Sequence, residues 1–83
     1  MDPEKEDRAT EFALLLHVLD EAPALLGQSD LIRELSGDAE NVAGRDAVER
    51  AIAELVGRGL LQRLGEHVLP SRAAAYVRTL GGL

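Results

Sequence analysis

The side chains able to do chemistry are few, and most of them are arginines. Eight of the nine basic residues are arginine and one, Lys5, is lysine. Arg45, Arg50, Arg58 and Arg63, together with His67, fall in one stretch, RDAVERAIAELVGRGLLQRLGEHVLP, over residues 45–70. A planar guanidinium pairs bidentately with phosphate or with the O6/N7 edge of guanine. A histidine adds positive charge below about pH 6.5. Other chemistry has little material to work with. There is no cysteine, so thiolate catalysis, disulfides and cysteine–zinc sites are excluded. His17 and His67 have no neighbouring histidine at a metal-ligand spacing. Ser29, Ser36 and Ser71 stand where helix caps or helix ends are expected, a structural use of the hydroxyl. Gly57-Arg58-Gly59 ends a helix and feeds a strand, the reverse of a phosphate-binding loop. No catalytic residue, metal ligand or cofactor is therefore expected, and the protein is read as a non-enzyme.

The elements that must position these arginines follow from periodicity. Residues 1–9 are polar, without apolar spacing, and read as a flexible acidic tail. Thr10 is expected to cap a first helix in which Phe12, Leu15, Leu16 and Leu19 form a buried stripe. Leu14 and Val18 lie beside that stripe and widen the apolar arc to about 200°. This exceeds what one core needs, so either the last helix covers the excess or a second copy does, in a homodimer through the first and last helices with Leu14 and Val18 at the interface. Pro23 ends the helix, and Leu25 to Gly27 form a connector. A second helix starts at Gln28 or Ser29, faces Leu31, Ile32 and Leu35 inward, and stops at Gly37. Residues 37–44 make a turn anchored by Val42.

A third helix is expected over 45–57. Ala47, Val48, Ala51, Ile52, Leu55 and Val56 share its inner side, while Asp46, Glu49, Arg50, Ala53, Glu54 and Gly57 face out. Arg45/Glu49 and Arg50/Glu54 are i,i+4 pairs of opposite charge. Gly59 is the expected left-handed residue after the helix. Two short strands, 60–64 and 67–69, join through Gly65-Glu66 in a type II′ turn. Pro70 closes the hairpin, Ser71 caps a last helix, and residues 81–83 fray. One domain over residues 10–80 results.

Helix, helix, helix, two-stranded wing, helix is the order that resembles the winged helix-turn-helix superfamily. AVERAIAELVGRGLL is similar to a recognition helix entering a wing, and VLPSRAA after the wing is similar to small stand-alone winged-helix proteins of high-GC Gram-positive bacteria. The resemblance implies a mostly helical fold with a small β-hairpin and a bacterial transcription regulator that binds double-stranded DNA. The helix at 45–57 would enter the major groove, with Arg45, Arg50 and Arg58 on bases and phosphates and Arg63 and His67 on the wing. Arg72, Arg78 and His17 read as surface residues, and Phe12 and Tyr76, the only aromatics, as core.

Charge points the other way. The chain carries net charge −6, the wrong sign for a polyanion binder. Residues 1–44 hold eleven acids and three bases, or −8, whereas residues 45–83 hold four acids and six bases, or +2. The docking half is mildly basic, yet Asp46, Glu49 and Glu66 sit among its arginines. A winged-helix protein-interaction module that binds no DNA is the alternative. No apolar run approaches the length of a membrane span, and the acidic start does not resemble a secretory signal, so a cytoplasmic protein without membrane contact is expected.

Overall fold

The computed structural model describes residues 3–37 and 41–83. Four helices, α1 (Pro3–Glu21), α2 (Gln28–Ser36), α3 (Val42–Gly57) and α4 (Arg72–Thr79), surround a small antiparallel sheet of β1 (Leu26–Gly27), β2 (Leu61–Leu64) and β3 (His67–Pro70). The sheet order is β1-β3-β2. β1 pairs Leu26 with Val68 and Gly27 with His67, and the hairpin pairs Leu61 with Pro70 through to Leu64 with His67.

Local chemistry accounts for the boundaries. The Asn41 side chain accepts a hydrogen bond from the Gly44 amide at 3.0 Å, and Ser71 Oγ accepts from the Ala74 amide at 3.1 Å. Both are N-caps that satisfy an orphan helix donor. Gly59, at φ 78°, lets the chain leave α3 and turn into β2. Gly65 has φ 61°, and no non-glycine residue among the described residues has positive φ, so the two-residue hairpin turn has the type II′ pattern.

Among the described residues, thirteen apolar side chains form the core. Leu14, Leu15, Val18 and Leu19 come from α1; Leu31 and Ile32 from α2; Val48, Ala51, Ile52 and Leu55 from α3; Leu61, Val68 and Ala74 from the remaining elements.

Several expectations are corrected. α1 is helical from Pro3, so most of the expected tail belongs to it, while residues 1 and 2 lie outside the described residues. Proline is tolerated at the first helical position, and Glu4 and Glu6 complement the helix dipole there. Thr10 is no cap; its Oγ1 donates to the Glu6 carbonyl inside the helix. The buried side of α1 is also rotated from the expected stripe. Leu14 and Val18, placed at a dimer interface by the sequence, are 0% exposed, and Phe12 faces outward. An arc wider than one core leaves the direction of burial to the partner elements, and packing against α3 and β3 selects Leu14 and Val18.

The expected 37–44 turn is shortened from its far end, because α3 begins at Val42. Residues 38–40 of that turn lie outside the described residues. Val42, the expected anchor, is 65% exposed in the first turn of α3. The connector at Leu26–Gly27 is a strand, too short for any alternation to announce it.

These assignments have opposite consequences on truncation. Leu14→Ala should destabilise the fold by about 2–5 kcal/mol, whereas Val42→Ala should change stability by less than about 0.5 kcal/mol. Urea unfolding followed by circular dichroism distinguishes them; equal losses would contradict the burial pattern.

Candidate nucleic-acid interface

α3 buries Val48, Ala51, Ile52 and Leu55 and turns Asp46, Glu49, Arg50, Ala53 and Gly57 outward. Its two flanks face different neighbours. On the flank toward α2, Arg45 and Glu49 line an open groove of about 600 Å³. The facing wall comes from α2, including Ile32, Arg33 and Ser36, and the end is closed by the hairpin turn at Gly65 and Glu66. The Gln28 amide donates to the Glu66 carbonyl at 2.8 Å and ties the turn to the start of α2. The hairpin tip is therefore held down, and its reach is short. Ser36 Oγ is buried at this groove without a hydrogen-bond partner among the described residues.

The other flank of α3 packs beside α1, and here the arginines are engaged. Arg50 Nη2 lies 3.7 Å from Asp7 Oδ1. Arg58 Nε donates to Glu54 Oε1 at 2.7 Å. A narrow crevice between the helices gathers Asp7, Arg8, Glu11, Arg50 and Glu54. The Glu11 carboxylate is buried there and accepts two hydrogen bonds from Arg8, at 2.8 and 3.2 Å. The Arg8 guanidinium is held above its ordinary pKa, first by that hydrogen bond and then by the Glu11 charge.

The five arginine and histidine candidates are thus not brought onto one surface. Arg45 faces the groove, and Arg50 and Arg58 sit on the α1 flank, each beside a carboxylate. Arg63 lies opposite Val68 in the hairpin, whereas His67 lies opposite Leu64. Cross-strand partners share a face and successive residues alternate, so Arg63 and His67 project from opposite faces of the wing. Arg45 and Arg63 form no ion pair among the described residues.

The expected Arg45/Glu49 and Arg50/Glu54 pairs are replaced by Arg58–Glu54 and Arg50–Asp7. Position on the helix permits either partner, and α1 supplies Asp7. Sequence reasoning missed this cluster because it left Asp7 and Arg8 in a tail. The signal was there in Asp7, Arg8 and Glu11, which continue helical spacing backward from the Phe12 stripe. His17, expected to be merely solvated, places Nε2 3.0 Å from Glu34 Oε2 and links α1 to α2. Arg78, expected on the surface, is half-buried and donates to Asp20 of α1. Tyr76 and Phe12, expected in the core, are both exposed.

Among the described residues, no group of three histidine, aspartate or glutamate side chains could hold a metal ion, and no helix is long and apolar enough to cross a membrane. Comparison with protein-family models, with curated proteins and with solved structures gave no match.

Removing Arg8 leaves a buried carboxylate unpaired. Arg8→Ala should lower the urea midpoint of unfolding, and Glu11→Gln added to that variant should recover part of the loss. A midpoint unchanged by Arg8→Ala would show that Glu11 is satisfied otherwise.

Proposed function

We propose that the chain is a winged-helix protein that binds double-stranded DNA, a bacterial transcription regulator by class. It would use α3 and the β2–β3 hairpin as its docking face. The order of elements supports the fold assignment: a helix pair, α2 and α3, runs directly into a hairpin whose turn lies against the start of α2. The observation that carries the DNA reading is a pair of arginines without an ion pair among the described residues, Arg45 on the groove flank of α3 and Arg63 two residues before the turn. Arg50 and Arg58 contribute less, because binding phosphate would first require them to leave Asp7 and Glu54.

The footprint is accordingly small. Two phosphates neutralised per protomer correspond to a slope of log K against log salt of about −2, and to weak affinity for a monomer. Fluorescence anisotropy against a pool of labelled duplex DNA, across a salt series, tests this. Binding with that shallow slope, lost in the Arg45→Ala/Arg63→Ala double variant and largely kept in Arg50→Ala, is the expected outcome. Absence of binding at low salt would end the DNA reading.

A second reading, a protein-docking module that binds no DNA, is favoured by the charge of the same face. Asp46, Glu49 and Glu66 outnumber the two unengaged arginines there. A polyanion gains little from such a surface, whereas a protein partner can match alternating charge around the Ile32 wall of the groove. Glu49→Gln separates the readings. It should strengthen DNA binding and weaken a protein contact built on that carboxylate.

A further inference from the structure

The side of α1 that meets the core changes character partway along the helix. Asp7, Glu11, Leu14 and Val18 recur at i, i+4, i+7 and i+11 and share that side. Leu14 and Val18 lie in the core, whereas no side chain of α1 before Leu14 joins it among the described residues. Over residues 4–10 the helix is exposed apart from Asp7 and Thr10, which are half-buried. Charge is what ties this segment to α3. Asp7 Oδ1 lies 3.7 Å from Arg50 Nη2. The hydrogen bond to Glu11 chiefly holds Arg8 above its ordinary pKa, and the Glu54 carboxylate of α3 acts in the same direction across the crevice. Arg50 therefore differs from Arg58, whose partner Glu54 stands one turn earlier on the same helix. The carboxylate beside Arg50 belongs to another element and can leave without any change in α3.

We infer that the first two turns of α1 are an autoinhibitory strap, with Asp7 seated on Arg50 where a phosphate oxygen of DNA would otherwise sit. The inference rests on the DNA reading proposed above and adds its regulation. Carboxylate and phosphate oxygens compete for the same guanidinium donors. The strap is built to lose that competition when it is pressed. Its side chains are open to water, 65% for Arg50 and 42% for Asp7, and exposed pairs are weak and screened by salt. The apolar contacts that hold α1 begin at Leu14, so the first turns can lift while the core stays closed. Glu6, exposed beside Asp7, adds repulsion toward an approaching phosphate backbone. Position makes Arg50 the arginine worth covering. Arg45 lines the α2 flank of α3 and Arg50 the α1 flank. A helix lying in the major groove has a phosphate strand on each side, and with the strap closed only one flank offers an arginine without a carboxylate beside it.

Anisotropy of labelled duplex DNA across a salt series, with the full chain and its Asp7→Asn variant, tests the strap. Freeing one more arginine should steepen the slope of log K against log salt from about −2 to about −3. The gain in affinity should therefore shrink about three- to fourfold as salt rises from roughly 50 to 200 mM. Adding Arg50→Ala to Asp7→Asn should cancel the gain. Glu21→Gln removes the same charge from the far end of α1, about 21 Å along the axis, and should leave the slope unchanged. Far-UV circular dichroism should show Asp7→Asn to be as helical as the parent, because the pair it breaks is exposed. Equal slopes in the parent and Asp7→Asn, a gain that survives Arg50→Ala, or the same gain from Glu21→Gln would each overturn the strap and leave the DNA reading standing. Absence of binding in both parent and variant would end the DNA reading and the strap together.

Discussion

The packing of α1 across α3 is the contact on which the rest depends. These two helices supply eight of the thirteen core side chains, four each. Nothing else in the chain can substitute for them, since α2 adds two and α4 one. An 83-residue domain without disulfides stands near the size at which one core suffices. The direction in which α1 turns its apolar arc therefore decides where the sheet edge, the arginines and the leftover apolar surface fall. Burying Leu14 and Val18 brings Asp7 within reach of Arg50 and sets Glu11 in the α1–α3 crevice. The same rotation sends Phe12 outward.

Much of the fold was legible in the residues because local signals were strong and unopposed. The inner side of α3, the Gly65 turn, the stop at Gly59 and the cap at Ser71 each rest on one mechanism that tertiary structure had no reason to override. What could not be read was set by partners. The phase of α1 is ambiguous in a helix whose apolar arc is too wide, and only the position of α3 resolves it. β1 is two residues long and exists because β3 offers it an edge. The α1 start was missed because an acidic, proline-bearing segment resembles a tail, although proline at the first position and acids in the first turn also describe a helix start. The candidate site was legible as a set of residues but not as a surface. Spacing places Arg45, Arg50 and Arg58 on one helix, and only the neighbours show which of them a carboxylate engages.

Electrostatics and apolar exposure divide the molecule into two surfaces. On the α3 side most charges are matched locally: Arg58 with Glu54, Arg50 with Asp7, Arg8 with Glu11. The exposed pairs Arg58–Glu54 and Arg50–Asp7 contribute little to stability, unlike Arg8 on the buried Glu11. Their effect is on recognition, because each one lowers the positive potential that a phosphate backbone would meet. The excess acid of the chain lies outside this face, mostly in its first half, so the net charge understates how neutral the docking face is.

The opposite side of α1 leaves Phe12 exposed, and α4 adds Tyr76, Val77 and Leu80 to the exposed apolar surface. α1 separates the two surfaces, since its core side meets α3 and its outer side carries Phe12. The outer ridge of α3 in turn points away from α1 and the core. On the proposed DNA reading, a face with two arginines free of ion pairs among the described residues gives weak affinity, because so few phosphates are contacted. The wide apolar arc of α1 is thus split by its neighbours: one half, with Leu14 and Val18, closes the core, and the other leaves Phe12 in solvent.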